Sequence, residues 1–207
     1  MSKIIDFSMK REPRQSRSRA TVEAIVEATA QILARDGYAA VNTNRIAERA
    51  GVGIGSVYDF FPGKEALVAA AAAEMIDRML ARVEEAMALY SPTDPNSIHR
   101  LATALAESVE AERDLIAAFY LQVPYIREIP AVQALPVRML NLLKDHPVIE
   151  TVSTEPESLY LLSVMVAVGT IEMTVAAPSG LDRDRLIASL ATVLEATLMR
   201  YALQDAA

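Results

Sequence analysis

The chain has 207 residues, of which 52% are apolar and 23% are charged, with no cysteine and two histidines. This composition supports a sizeable buried core and excludes a disordered tail, a disulfide framework, a zinc ribbon and a thiol nucleophile. The net charge of −7 is unevenly divided, because residues 1–65 carry +2 and residues 66–207 carry −9. A functional interpretation must therefore explain why a short basic N-terminal segment precedes a longer acidic segment.

Residues 1–17 are predicted to form a flexible basic arm. Five Lys or Arg side chains and one acid lie between Lys10 and Arg19. The arm contains no secretory signal, so we expect a cytoplasmic protein. Ser16 or Ser18 can cap a first helix that runs to about Asp36, where apolar residues recur at helical spacing.

Two short helices are predicted to follow. Gly37 is a plausible stop for the first helix, and Thr43 is a good N-cap for a second helix that ends at Ala50. A third helix spans roughly Ile54 to Phe61 and ends before a Pro-Gly pair.

The rest of the chain is divided by proline and glycine into six further helices. They are predicted at 64–90, 97–111, 113–128, 131–145, 157–177 and 182–203. Pro124 and Pro136 should kink or split two of them. The most apolar segment, Leu159 to Ala177, has the length of a membrane span, but its polar residues and missing basic flanks favour a buried soluble helix. The sequence thus predicts an all-α protein of about nine helices.

The second and third helices are predicted to form a helix-turn-helix at about residues 43–62. Ile46 and Ala47 face Val57 and Phe61 across a glycine-containing turn. The outward face of the third helix then presents Gly53, Ile54, Gly55, Ser56, Tyr58, Asp59 and Phe60. The bare glycines allow another surface to approach closely, and backbone N–H groups at that end can meet phosphates.

The segment from Thr43 to Leu67, TNRIAERAGVGIGSVYDFFPGKEAL, resembles the DNA-binding signature of the TetR family of bacterial transcriptional regulators. The resemblance covers roughly Ala20 to Leu67, and the remaining chain resembles the family only in length and helical content. It implies that the third helix enters the major groove and that positions 54, 56 and 59 face base edges. It also implies backbone contacts from Thr43, Tyr58 and Lys64, with Arg45 facing outward beside Thr43.

The sequence departs from the family pattern at three positions. Gly53 stands where a serine usually caps the third helix, which weakens that cap. Asp59 and Phe60 stand where polar or basic residues are usual. Asp59 is repelled by phosphate or accepts a hydrogen bond from a cytosine amino group, and Phe60 packs on sugars or a thymine methyl. Affinity is therefore expected to depend more on the arm, including Arg17 and Arg19, and on two further cations, Arg45 and Lys64.

The predicted domains are the helix-turn-helix domain at 18–65 and an effector-binding and dimerisation domain at 66–207. Helix breaks and flexible side chains predict an apolar effector pocket there. Its candidate residues are Met87, Phe119, Tyr120, Met139, Met165 and Glu172. The last two long helices are predicted to form the dimer interface through Leu190, Leu194 and Leu198. The acidic run from Glu107 to Asp114 is interpreted as a solvated face.

The sequence is thus interpreted as a TetR-like repressor, a homodimer that binds a palindromic operator and is released by a small, mostly apolar effector. It is expected in the bacterial cytoplasm, on the nucleoid when bound, without cofactor, metal, membrane contact or enzymatic activity. The alternatives are an activator or architectural DNA-binding protein without effector, and an all-helical enzyme or carrier. A nucleotide-binding loop at the glycines from Gly51 to Gly55 would need a preceding strand that the sequence does not predict.

Overall fold

A computed structural model describes residues 5–89, 96–143, 156–176 and 180–204. Every regular element in these ranges is helical, which confirms the predicted all-α class. In the described ranges the nine α-helices are α1 (Ser16–Asp36), α2 (Thr43–Ala50), α3 (Ile54–Phe60), α4 (Lys64–Ala88), α5 (Ser97–Ala111), α6 (Arg113–Gln122), α7 (Pro130–Leu143), α8 (Pro156–Ile171) and α9 (Arg183–Gln204). The last turn of α8 continues as a π-helix over Glu172–Ala176.

The two prolines predicted to disturb helices behave differently. α6 ends at Gln122, and a 3-10 turn at Ile126–Glu128 follows Pro124, so the predicted 113–128 helix is split. Pro136 lies inside α7 without dividing it. A proline removes one backbone hydrogen bond, and the bonds on either side of it hold the helix together. Pro130 occupies the first turn of α7, where a missing N–H has no cost.

The chain forms two compact units. The first contains Met1–Asp77 and Asp114–Gln133, and the second contains Arg78–Arg113 and Ala134–Ala207. α4 contributes to both units, and α6 belongs to the first. The predicted domain boundary at residue 65 separates the expected DNA-binding residues from the expected effector-binding residues, which is a different criterion from compactness. It therefore stays a prediction.

The core of the first unit lies where α1 packs on α2 and α3. The fully buried side chains of this unit include Ile25, Ile32 and Leu33 on α1, Ile46 on α2, Val57 on α3, Phe61 directly after α3, and Leu67 on α4. Burying each such side chain contributes about 1.5–3 kcal/mol. This packing fixes the angle between α2 and α3, and so fixes the surface that α3 presents.

The core of the second unit lies around α5, which packs on α8 and α9. Small residues at the contact, such as Ala102, Ala106 and Ala191, are buried and allow the helices to approach closely. The buried hydroxyls of Ser108 and Thr170 donate to carbonyl oxygens of their own helices, at 2.8 and 2.7 Å. Among the residues that the structure describes, no helix is long and apolar enough to cross a bilayer.

The acidic run at the end of α5 is not uniformly solvated, so its interpretation as a solvated face is wrong at Glu112. The Glu112 side chain is only 9% exposed. It accepts hydrogen bonds from Nε and Nη2 of Arg78 and from Nη1 of Arg82, each at 3.0 Å. Burial alone would raise the pKa of Glu112, but the hydrogen bonds and charges of the two arginines outweigh it and lower that pKa. Glu107 and Asp114 are exposed, as predicted.

Candidate nucleic-acid interface

The turn between α2 and α3 has the geometry of a helix-turn-helix. Asn42 is the N-cap of α2, because its side chain accepts a hydrogen bond from the Arg45 N–H at 2.9 Å. α2 ends at Gly51, which has φ 66° and ψ 28°, a left-handed conformation that glycine adopts without strain. The N–H of Val52 then donates to the Ala47 carbonyl at 3.0 Å, closing the turn.

The predicted cap at Thr43 is therefore wrong by one residue. Thr43 is the first helical residue of α2, and its side chain is free to point across to α3 because Asn42 has taken over the capping. The Thr43 hydroxyl lies 3.0 Å from the Tyr58 hydroxyl. A direct side-chain bond thus joins the two helices at their outer edge.

The outer face of α3 is exposed over most of its length. Ile54 is 39% and Tyr58 is 46% exposed, large fractions for an apolar and an aromatic side chain. Gly53, Gly55 and Asp59 are exposed as well, and Ser56 is half-buried. A Cβ atom added at Gly53 or Gly55 would meet no other atom within 4 Å. The fold itself therefore does not require glycine at these two positions, which border open space.

Phe60 does not belong to this exposed face, so its predicted outward orientation is wrong. Its side chain is only 4% exposed. The guanidinium carbon of Arg11 lies 4.7 Å from the centre of its ring, and the Lys10 N–H donates to its carbonyl at 2.7 Å. The helical spacing placed Phe60 correctly on α3. The segment that covers it lies some fifty residues earlier in the chain, and no local pattern reveals that contact.

The arm that was predicted to be flexible has defined contacts from Phe7 onward. The Phe7 ring lies 5.6 Å from the Tyr125 ring, and the Lys10 ammonium donates to the Tyr58 carbonyl at 2.9 Å. One guanidinium nitrogen of Arg11 lies 3.5 Å from an Asp59 carboxylate oxygen. Asp59 therefore has a cation beside it, which offsets the predicted repulsion between this carboxylate and a phosphate.

The remaining predicted cations differ in how accessible they are. Arg17 and Arg19 are exposed in the first turns of α1. Arg45 is exposed but forms an ion pair with Asp36 at the end of α1. Lys64 is half-buried, and its ammonium donates to the Tyr38 carbonyl at 2.7 Å and lies 3.6 Å from the centre of the Tyr38 ring. Burial lowers the pKa of Lys64, against an opposing effect of Glu65.

Gln122, which lies outside the helix-turn-helix, contacts the segment that joins α1 to α2. The Gln122 side-chain oxygen, at the end of α6, accepts a hydrogen bond from the Tyr38 N–H at 3.0 Å. Gly37 has φ 80°, and a Cβ atom there would lie 2.5 Å from this oxygen. Gly37 directly follows α1, as predicted for a helix stop, but its ψ of 171° is not that of a left-handed helical residue. The missing side chain at Gly37 also leaves room for the Gln122 side chain. The partner lies 84 residues away in sequence, so sequence reasoning missed it.

The predicted effector-pocket residues are divided between the two units. Phe119 and Tyr120 belong to the first unit, whereas the other four belong to the second. In the second unit a cavity of about 20 Å³ is lined by Met139 with Met79, Leu80, Val83, Leu105, Ser108, Val109, Leu135, Ala167, Thr170 and Ile171. Met165 and Glu172 are exposed and Met87 is half-buried, and none of the three lines this cavity. The helical period of α8 turns positions 165 and 172 to one side and Thr170 to the other.

The predicted interface residues on α9 are described only in part. Leu190 is half-buried, and the side chains of Leu194 and Leu198 lie outside the part of the chain that the structure describes. On α8, Leu161, Met165 and Val168 are each more than half exposed. Their spacing of four and three residues places them on one face of the helix.

Comparisons with known proteins find relatives for part of the chain. A sequence model of the bacterial regulatory proteins of the tetR family matches residues 25–71. The HTH-type transcriptional repressor KstR of Rhodococcus jostii is 32% identical over 91 residues, which are 44% of this chain and 40% of KstR. The chain thus matches less than half of the length of this curated relative.

Solved structures share the fold over most of the chain. FadR of Bacillus subtilis, solved with stearoyl-CoA, superposes with a TM-score of 0.64 at 17% identity, over 84% of this chain and 98% of FadR. A TetR-family regulator of Mesorhizobium loti gives a TM-score of 0.69 at 16% identity, over 90% and 99% of the two chains. These relatives are regulators, in agreement with the prediction that the chain is not an enzyme. The predicted resemblance to the TetR family of bacterial regulators is thus confirmed over residues 25–71, and the solved structures show that the chain shares their fold.

Proposed function

We propose that the protein is a transcriptional repressor that binds a palindromic operator as a homodimer and releases it when a small apolar effector binds. The observation that carries the proposal is the outer face of α3. It is exposed, is backed by a packed core, and carries glycines that the fold itself does not require. An exposed helix of this kind fits the major groove, which is about 12 Å wide.

The DNA contacts divide into two groups. Ile54, Ser56 and Asp59 lie where base edges are read, and a carboxylate at position 59 favours a cytosine amino group. Contacts to the phosphate backbone fix the register and carry most of the affinity. They are assigned to Thr43, Tyr58 and Lys64, to the close backbone approach at Gly53 and Gly55, and to the exposed cations Arg17, Arg19 and Arg45.

A second copy of the chain is the proposed partner of α8 and α9. The exposed stripe of Leu161, Met165 and Val168 on α8 is costly in water, and an isologous contact buries two copies of it at once. The interface extends to α9 through Leu190, Leu194 and Leu198. Such a dimer presents two copies of α3, and a spacing of about 34–36 Å between them matches successive major grooves.

The effector is proposed to enter the apolar seam around Met139. The cavity there has a volume of about 20 Å³, which is enough for one water molecule. A larger ligand must therefore displace side chains. Met79 and Met139 are suited to this because methionine adapts its shape readily. The hydroxyls of Ser108 and Thr170 already have partners in their own helices, so the seam offers apolar surface. FadR of Bacillus subtilis, which shares the fold, binds a ligand with a long acyl chain, stearoyl-CoA.

Release of the operator requires a difference in affinity. An effector that binds both states equally shifts nothing, so it must bind the state with the opened seam more tightly than the DNA-bound state. α4 carries Met79, Leu80 and Val83 along the seam and begins at Lys64, next to α3. A displacement of this one helix is the proposed link between seam and operator.

Two experiments test the proposal. Selection of genomic fragments by the purified protein at low salt should recover a palindrome, bound with a steep salt dependence of about −0.9 in log K per phosphate contact. Failure to select any duplex would contradict DNA binding. A thermal-shift screen of fatty acids, acyl-CoA esters and alkanes should then yield compounds that release that duplex. Ligands that bind without changing operator affinity would remove the regulatory part of the proposal.

A further inference from the structure

Lys10 and Arg11 lie against the C-terminal end of α3, although they are far from it in sequence. Four contacts join them to the helix. They are the bonds from the Lys10 N–H to the Phe60 carbonyl and from the Lys10 ammonium to the Tyr58 carbonyl, the cation–π contact of Arg11 with Phe60, and the Arg11–Asp59 ion pair. The segment therefore follows the helix that carries the base-reading residues.

Lys10 acts as a C-terminal cap for α3. The last four carbonyls of any helix have no partner within it, and that end carries a partial negative charge. Lys10 satisfies two of them in α3, at 2.7 and 2.9 Å, and brings a positive charge to the same place. The other end of α3 has no side-chain cap, because its N-cap is Gly53. A helix of seven residues with one weak end depends on such a contact at the other.

The Arg11 side chain contacts two residues of α3 and remains accessible to solvent. Its guanidinium lies over the Phe60 ring, with Asp59 at one edge, and its side chain is still 61% exposed. The same guanidinium borders an open groove that also contains Glu12, Pro13, Arg14, Gln15, Ser18 and Phe60. The groove therefore combines two cations and one carboxylate with hydrogen-bonding side chains.

We propose that this docked segment is a fixed part of the DNA-recognition surface, in which Arg11 binds a phosphate beside the bases that α3 reads. The inference rests on the proposed function. A phosphate is the ligand because base edges are contacted mainly by the N-terminal residues of a recognition helix, and Arg11 lies at the other end. A guanidinium also matches a phosphate with two parallel hydrogen bonds. Phe60 and Lys10 are positioning residues, which hold Arg11 in place without touching DNA.

The first test compares three single substitutions on the duplex recovered by the genomic selection and on a random duplex of equal length. Arg11→Ala should weaken both complexes by a similar factor of about ten and reduce the salt slope by about 0.9. Arg11→Lys should fall between, because the charge remains and the planar fork is lost. Arg185→Ala removes an exposed charge from α9 in the second unit, and it should leave both affinities and the slope unchanged.

The second test asks whether Phe60 acts through Arg11. Phe60→Leu keeps an apolar side chain and removes the aromatic face, and thermal unfolding shows whether the variant is folded. If Phe60 positions Arg11, Phe60→Leu should cost little operator affinity once Arg11 is already alanine. Additive losses in this double-mutant cycle would contradict the positioning role.

Wild-type behaviour separates the two levels of the proposal. If the wild type binds an operator and Arg11→Ala behaves as Arg185→Ala does, only the present inference is overturned. Tighter binding by Arg11→Ala also overturns it, because the arm would then obstruct DNA. A wild type that binds no duplex overturns both the inference and the proposed function.

Discussion

The two units of the molecule are stabilised in different ways. In the first, polar contacts between distant segments specify one geometry. Thr43 meets Tyr58, Lys64 meets Tyr38, and Gln122 meets the turn after α1. In the second, the charged cluster of Glu112 with Arg78 and Arg82 lies at the end of α5, but around the seam the helices pack through small and apolar residues that enclose a cavity and two methionines. Directional contacts hold a fixed surface, whereas apolar packing tolerates rearrangement.

This difference suits the proposed division of work. A surface that reads DNA must keep its side chains within a fraction of an ångström, so its supports have to be directional. A site that accepts an apolar ligand gains from side chains that move at small cost. The π-helical turn Glu172–Ala176, directly after the seam residue Ile171, adds to this adaptability, because such turns are departures from the regular helix.

The largest expected effect comes from the core of the first unit. Phe61→Ala removes a ring that is 1% exposed between α2 and α3. It should lower the free energy of unfolding by about 3–5 kcal/mol and abolish operator binding. Chemical denaturation and a gel-shift titration measure the two effects. Leu121→Ala on α6, at a residue that is 68% exposed, is the comparison, and an equal loss of unfolding free energy there would contradict the assignment of Phe61 to the core.

A smaller effect is expected from the charged cluster of the second unit. Glu112→Gln removes the negative charge and one of the two acceptor oxygens that Arg78 and Arg82 share, and it should cost about 2 kcal/mol because the site is nearly buried. Glu110→Gln, at a more exposed pair with Arg113 3.5 Å away, should change stability by less than about 0.5 kcal/mol. Equal losses in the two variants would show that burial does not decide the strength of the pair.

The same cluster predicts a dependence on pH. The pKa of Glu112 is lowered on folding, so its contribution is fully present above its unfolded value and is lost as the pH falls through its folded value. The free energy of unfolding should therefore decline below about pH 4.5, and Glu112→Gln should decline less steeply than the wild type. Urea titrations at several pH values measure this. Parallel curves for the two proteins would contradict the lowered pKa.

Local patterns predicted the helices, because helix boundaries depend on neighbouring residues. The predicted 97–111 coincides with α5, and the α4, α8 and α9 predictions differ from the structure by a few residues. Caps, glycines and prolines act within one turn of the chain, which explains this success. The pairing of α2 with α3 was also predictable, because both helices and their turn lie within twenty residues.

The errors fall on contacts between distant segments. Phe60 is covered by Arg11, Glu112 is neutralised by α4, and Gly37 admits Gln122. Each partner lies thirty or more residues away, so neither spacing nor composition reveals it. Only Met139 of the predicted effector residues lines the seam, for a related reason: methionine and aromatic content marks an apolar region but does not say which side of a helix faces inward. Met139 lines the seam and Met165 does not, although both lie in apolar helices.

A substitution at Gly37 tests how closely Gln122 packs against the backbone after α1. Gly37→Ala places a Cβ atom 2.5 Å from the Gln122 side-chain oxygen, at a φ of 80° that alanine rarely adopts. The loss of unfolding free energy should be about 1–3 kcal/mol. Adding Gln122→Ala should recover part of the loss, because it removes the clash and leaves the backbone strain. No recovery in the double variant, measured by urea denaturation, would contradict the close approach of these two residues.

The smallest effect concerns the hydroxyl pair at the edge of the helix-turn-helix. Thr43→Val and Tyr58→Phe each remove one partner of a 3.0 Å hydrogen bond that is exposed to solvent. Each should cost about 0.5–1 kcal/mol, with a coupling of similar size, because water replaces an exposed bond readily. If the two hydroxyls also bind the DNA backbone, both variants should weaken specific and random duplexes alike. In that case the bond would orient the two phosphate-binding hydroxyls before DNA arrives, and preorganisation of this kind favours binding. A double-mutant cycle on unfolding and on DNA affinity measures both couplings. A coupling in stability without a loss of affinity would make the pair a structural bond between α2 and α3 and nothing more.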